Sequence, residues 1–594
     1  MRFFYCIAFL FFSLSLCAQD DFLAKQYFSD GDFEKAVVFY EKLVEKNPRR
    51  TDYVQGLIAC YQQLERYTDA EQFLSKQLNM RSPHPTLLIE MGYNYKLQEQ
   101  TEKADSYFDQ AISIIEENPN FGYALGYQFQ KYSLLDRAIN AYQRAMEMNP
   151  ALDYNYQLAR IYGEQGDVER MFRSYLNLIS TGKTSKSNIL RSIDDFVTSD
   201  AEHKNNLLLK QILLEKAQKN PELIWNELLS WLFVQQNQFS SALRQEKAIF
   251  KRAEGNNVQR LENLGDMALE ANEAGVAKDI FEYISENTND EITRLNAQLN
   301  LIDIDLLEAN EKELDAIQKK YEELVAIHGY KGQTLQLQVA YANFLTFKRN
   351  NPEPAEKLLK NSLELPLNER GTAYIKLALG DILVYNRKFN EALIYFSQIQ
   401  QQLKNDVLGQ NARFKVAQTS FYKGDFDWAL TQLKVLRGST SQLIANDAMQ
   451  LSLLISDNSL EDSTQTALKI YARAVFLAYQ NNTNEALSVL EDILQNHKGE
   501  KIEDEALFKQ AQLYETLKKY EEARLNYEKI ITFYGNGILA DDAYFALGEL
   551  YRKVFDEPEK AKNYYEKIIY NYQDSYYFPQ ARKNFRMLRG DAIN

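Results

Sequence analysis

Apolar residues fall at three-and-four spacing in short blocks along this chain, and the blocks come in pairs. Over residues 87–112 ("LLIEMGYNYKLQEQTEKADSYFDQAI") one apolar face is set by Leu88, Met91 and Tyr95. A polar break follows at 98–101, and a second face carries Ala104, Phe108 and Ala111. Such spacing marks amphipathic helices, so the block predicts two helices joined by a tight turn. The block recurs. Ala36, Ala70, Ala104 and Ala138 stand 34 residues apart, and Met171 follows 33 later. After a weaker stretch come Ala242, Ala277, Ala316, Ala355, Ala392 and Ala429, then Ala486, Ala523 and Ala561. A small residue is expected wherever two helices cross closely, because a larger one forces the backbones apart. Pro48, Pro83, Pro119 and Pro150 end the second helices, since proline cannot continue the hydrogen-bond ladder. Each pair has two apolar faces and cannot bury both alone, so the pattern predicts an all-α solenoid in which neighbours stack.

The spacing resembles the tetratricopeptide repeat family, whose pattern runs Leu-Gly, aromatic, Ala, aromatic, Pro. Close variants of Leu-Gly occur at Met91-Gly92, Leu125-Gly126, Leu264-Gly265, Leu379-Gly380 and Leu547-Gly548. An alanine four residues before an aromatic occurs at Ala36/Tyr40, Ala104/Phe108, Ala138/Tyr142, Ala277/Phe281, Ala392/Phe396, Ala523/Tyr527 and Ala561/Tyr565. The resemblance implies a right-handed α-solenoid of stacked antiparallel helix pairs. It divides the chain into repeat arrays at 19–180, 223–436 and 467–594, with degenerate helical segments at 181–222 and 437–466. Ala36, Ala70, Ala104, Ala138, Ala277, Ala392, Ala429, Ala486, Ala523 and Ala561 are its repeat-packing positions. The last units, with "ADDAYFALGELY" and "YQDSYYFPQARKNFRML", are similar to the longer repeats of bacterial envelope proteins.

Composition narrows the partners. The chain has 594 residues, too many for one ordinary core. Only 23 glycines and 11 prolines argue against an all-β fold. A net charge of −15 repels phosphate backbones and argues against nucleic-acid binding. Residues 1–18 read as a secretory signal peptide: Arg2 is the positive region, an apolar run follows, and Ala18 precedes a cut before Gln19. "LSLC" offers Cys17 as a lipid anchor in the alternative, although Leu16 is larger than the residue a lipobox prefers. No later run is long enough for a transmembrane segment. Cys6 leaves with the signal, so Cys17 and Cys60 cannot build a disulfide framework.

Candidate chemistry is sparse. His84, His203, His328 and His497 show no metal-ligand spacing, and no phosphate loop or nucleophile elbow appears. The expectation is a protein that is not an enzyme and needs no cofactor or metal. "NNT" at Asn481 and "RGD" at Arg589 are short enough to arise by chance. The resemblance instead directs attention to the concave wall lined by first helices. Its outward positions are Ile89, Tyr93, Tyr123, Tyr127, Tyr156 and Arg160. Tyr95, Phe129 and Tyr162 fill the packing positions, so this row is surplus to the core. Tyrosine offers apolar area and a hydroxyl with few rotors to freeze, which suits recognition. The five candidates for protein binding are therefore Tyr93, Tyr123, Tyr127, Tyr156 and Arg160. Asp21, Lys25 and Gly56 stand where some family members clamp a C-terminal carboxylate, which argues against that ligand. The reading is an exported interaction scaffold of the periplasm or the periplasmic face of the outer membrane, with proteins of an envelope complex as partners. A glycan- or peptidoglycan-facing adaptor is the alternative, and an unrecognised enzyme the third.

Overall fold

The structure, a computed structural model, describes residues 20–252, 258–436, 438, 441–459 and 464–591. The signal peptide at 1–18, the cut before Gln19 and the lipid site at Cys17 lie outside the described residues. Those residues form helices joined by short turns, with no strand among them. Two compact units divide at Trp225 and Asn226.

In the first unit a helix over 20–29 precedes Phe33–Lys46. Antiparallel pairs follow: Thr51–Gln63 with Tyr67–Leu78, Thr86–Leu97 with Thr101–Glu117, Gly122–Lys131 with Leu135–Met148, and Asn155–Glu164 with Val168–Ser180. Segment 181–222 holds Lys186–Ile193 and Lys204–Lys219. The second unit continues in the same way from Phe239–Arg252 to Pro558–Asn571 and ends on Phe578–Arg589. The fold is an all-α solenoid of stacked helix pairs.

The repeat-packing alanines are all buried, from Ala36 at 0% exposure to Ala104 at 2%. Their aromatic partners are buried too, and five of the seven face a glycine of their own pair; Tyr40 faces Gly56 of the following helix, and helix Ile502–Thr516 has no glycine to face Tyr527. A Cβ added at Gly92, Gly126, Gly265, Gly380 or Gly548 would come within 2.3–2.6 Å of the ring of Phe108, Tyr142, Phe281, Phe396 or Tyr565. The glycine-to-ring crossing is what lets the paired helices approach. Ala316 departs from this scheme. It is exposed, while Ile317 and Tyr321 are buried on the same helix, Leu314–His328. The register has slipped by one, and a branched side chain takes the crossing position.

The stretch 437–466 is not a break in the second unit. Among the described residues it holds one long helix, Gln442–Ser459. Helix Thr466–Tyr479 packs directly on Val407–Lys423, as the next first helix would. Its end reaches further back: Gln480 Nε2 donates to the Tyr385 carbonyl at 2.6 Å, Tyr479 Oη to the Asp381 carbonyl at 3.0 Å, and Asn481 Nδ2 to the Phe347 carbonyl at 2.7 Å.

Candidate protein-binding surface

Helix Gly122–Lys131 turns Leu125, Gly126, Gln128 and Phe129 inward. Tyr123 and Tyr127, one turn apart, therefore share the other face. They are 49% and 58% exposed, and their rings lie nearly parallel at 6.2 Å. In the next repeat, helix Asn155–Glu164 buries Leu158, Ala159, Ile161 and Tyr162. Tyr156 is 49% exposed with its ring edge 6.2 Å from Tyr175, and Arg160 is exposed one turn on. The buried ring of Tyr154 stands 6.3 Å from Tyr123 and links the two helices. These tyrosines carry their area on a backbone fixed by the packing beneath.

Two of the row's expected members differ in kind. Ile89 is fully buried, because helix Thr86–Leu97 packs against Thr51–Gln63, Tyr67–Leu78, Thr101–Glu117 and Gly122–Lys131 and is covered on most faces. Tyr93 is half-buried under Tyr132, with ring centroids 3.7 Å apart. Tyr132 Oη donates to the buried carboxylate of Glu90. Gln128 Nε2 donates to the same carboxylate at 2.6 Å, and Gln55 Nε2 donates to Gln128 Oε1 at 3.1 Å. Lys131 Nζ lies 4.0 Å from Glu90. Burial raises the Glu90 carboxyl above the usual carboxylate range, and Lys131 and Tyr132 pull it back. Burial and the neighbouring Glu90 raise the Tyr132 phenol. Sequence reading missed this network across three first helices. Its one sequence signal was Glu90, the lone carboxylate in the helix Thr86–Leu97.

Phe414, Tyr471, Phe508 and Phe545, the corresponding residues of later repeats, offer no exposed row. Tyr471 is buried, Phe414 and Phe508 pack against the core, and Phe545 stacks on Tyr577 at 4.3 Å. Asp21 pairs with Lys25 at 3.0 Å, and a Cβ on Gly56 would meet the Tyr40 ring at 2.4 Å. Asn481 spends its amide on Phe347, and Arg589 pairs with Asp591, so both short motifs are engaged within the chain. Cys60 is buried, and burial pushes its thiol up to about 12. Among the described residues no group of His, Cys, Asp and Glu is placed to hold a metal, and no helix is long and apolar enough to cross a membrane.

Tetratricopeptide repeat models match residues 27–83, 85–118, 505–537 and 542–575, so such repeats stand near both ends of the chain. Repeats of this kind serve protein–protein interaction. The chain is 22% identical over 123 residues to the general transcriptional corepressor trfA of Dictyostelium discoideum. That match covers 20% of this chain and 9% of that protein. Among solved structures, the Naa15/Naa10 complex bound to HypK-THB is similar with a TM-score of 0.33 and 10% identity, over 96% of this chain and 88% of that one. The APC/C hetero-tetramer Cut9-Hcn1 is similar with a TM-score of 0.22 and 12% identity, over 98% of each chain.

Proposed function

We propose that this protein is an exported, non-catalytic scaffold of a bacterial envelope that binds other proteins through Tyr123, Tyr127, Tyr156 and Arg160. One observation carries the reading: three tyrosines about half exposed stand on adjacent first helices whose packing is complete without them. Large rigid rings held on a fixed backbone lose little entropy on binding and form interface anchors. Tyr93, stacked on Tyr132 and partly buried, contributes less area than the exposed three. Export rests on the apolar run after Arg2 and the small residue Ala18.

The test is a photo-crosslinking residue at Tyr127 in living cells, with mass spectrometry of the captured species. The expected result is a small set of envelope proteins, lost in the variant carrying Tyr123→Ala and Tyr156→Ala. Capture of peptidoglycan fragments in place of protein would make the row a sugar-stacking surface. An unchanged capture pattern in the variant would remove the row from the function.

A further inference from the structure

The repeat formed by helices Glu291–Glu308 and Leu314–His328 breaks the packing rule of its neighbours. Ile317 stands at the crossing position that alanine holds in the repeats on either side, at Ala277 and Ala355. The two helices meet over less of their length than neighbouring pairs do. Beside them, wholly within the second unit, lies a cavity of about 630 Å³. That is within the roughly 300–1,000 Å³ of ligand clefts.

Its chemistry is one-sided. Glu262, Asp266 and Asp303 line it from two first helices, and none has an ion-pair partner among the described residues. The one cation on the lining is Lys348. Burial, then the neighbouring Asp266, raises the Glu262 carboxyl, and partial burial raises that of Asp303. A second observation is independent of charge. Tyr321 is only 1% exposed and lines the cavity, yet its hydroxyl has no hydrogen bond among the described residues. A phenol on a cavity wall with no protein partner is left open to a ligand. The amides of Asn296 and Asn300, one turn apart on the same wall, are likewise unengaged among the described residues.

We propose that this cavity seats an extended segment of a partner protein bearing lysine or arginine, with its cations pairing separately with the Glu262–Asp266 side and with Asp303, and the backbone held by Asn296 and Asn300. The carboxylates supply charge complementarity, and the amides both donate and accept, as a peptide backbone requires. A metal ion is disfavoured by placement, since the carboxylates do not converge as a metal-holding group. The proposal rests on the scaffold reading and names the chemistry of a partner at a second place in the array.

Fluorescence anisotropy of the full chain tests it, with a labelled nonapeptide of alternating serine and lysine. The same peptide with norleucine, and one with glutamate, in place of lysine are the comparisons, and spermidine is the competitor. The lysine peptide should bind at least about tenfold tighter than the norleucine one, and less tightly as salt rises. The near-isosteric pair Glu262→Gln with Asp303→Asn should weaken it by about tenfold, and Asn296→Ala with Asn300→Ala by about threefold or more. Equal binding of the lysine and norleucine peptides would overturn the proposal. So would unchanged affinity in the Gln/Asn pair, or displacement by spermidine with the asparagine variant behaving as the unaltered protein. The Tyr123→Ala, Tyr156→Ala variant should bind the peptide normally. Failure of the tyrosine-row crosslinks with peptide binding intact therefore sinks only that row, and the converse sinks only this site.

Discussion

The substitution Gly380→Ala should weaken the array even though alanine is the better helix former. Gly380 lies inside helix Glu369–Tyr385 and faces Phe396 of helix Phe389–Gln402. A methyl group there would lie 2.3 Å from Phe396 Cε1 and 2.5 Å from Cζ, closer than carbon atoms approach without something moving. The ring cannot easily give, because Phe396 is fully buried beside Ala392 and Ile399. Two terms oppose. Replacing an interior glycine by alanine gains about 1 kcal/mol of helix propensity. Overpacking a close-packed crossing costs about 1–3 kcal/mol. The net is a loss of about 0–2 kcal/mol. Gly275 supplies the control. It sits in helix Ala274–Asn287 with nothing within 4 Å of an added Cβ, so only the propensity term acts, and Gly275→Ala should gain up to about 1 kcal/mol. Repeat arrays need not unfold as one unit, so the assay is native-state hydrogen exchange read helix by helix. Protection should fall in Glu369–Tyr385 after Gly380→Ala and rise in Ala274–Asn287 after Gly275→Ala. In a Phe396→Leu background the penalty at Gly380 should shrink, giving a favourable coupling in the double-mutant cycle. If Gly380→Ala raises protection in both backgrounds, the glycine-to-ring crossing is not what holds the pair together.

Tyr132→Phe removes a donor from the buried Glu90 carboxylate and should cost about 1–3 kcal/mol in a thermal melt, while Tyr127→Phe should cost nothing measurable. Burial, then Asp541, holds the Asp542 carboxyl up at about 6 against an ordinary 3.8. The folded chain therefore keeps a proton the unfolded chain has lost, and this stability, full below pH 3.8, is lost as pH rises to about 6. Relative to the unaltered protein, Asp542→Asn should gain melting temperature on going from pH 4 to pH 7, and a constant difference would refute the assignment. Gln480→Ala removes the bonds to the Tyr385 carbonyl and to Arg387 and should cost about 1–2 kcal/mol, lowering exchange protection in Glu369–Tyr385 and Thr466–Tyr479 together.

Sequence alone made the helix pairs and their register readable because packing repeats. The same alanine recurs at most crossings, with glycine and an aromatic at fixed offsets in several, and repetition turns weak local signals into one strong one. The reading slipped at Ala316, where an alanine happened to stand next to the true crossing residue, Ile317. It slipped again at Ile89 and Tyr93, because the outward side of a first helix is set by what covers it from neighbouring repeats. Tyr132 covers Tyr93, yet it lies in the turn after its own helix, where helical periodicity carries no information. The exposed tyrosines of the candidate surface were legible as surplus to packing. The acidic cavity was not, since Glu262, Asp266 and Asp303 look in sequence like any solvated face and come together only in the fold.

The slipped register and the interposed helix Gln442–Ser459 bear on how this array behaves as a whole. In an ideal solenoid each repeat touches only its neighbours, so stability adds along the chain and local opening stays local. Here the end of helix Thr466–Tyr479 bonds to residues 95 to 134 positions earlier, at Tyr385, Asp381 and Phe347. Rings close the same junction, with Tyr479 5.7 Å from Phe347 and 5.8 Å from Tyr422, and Phe476 5.1 Å from Phe389. Such bonds add closure across repeats that the chain alone leaves independent, so opening one strand of the junction must open the others. Helix Leu335–Asn343 and the turn after it, which carries Phe347, also form a wall of the acidic cavity. The junction thus fixes Phe347, itself a lining residue of that cavity, through Asn481 and Tyr479. A lining residue fixed in this way spends no binding energy on ordering, which favours recognition of a short segment by few contacts.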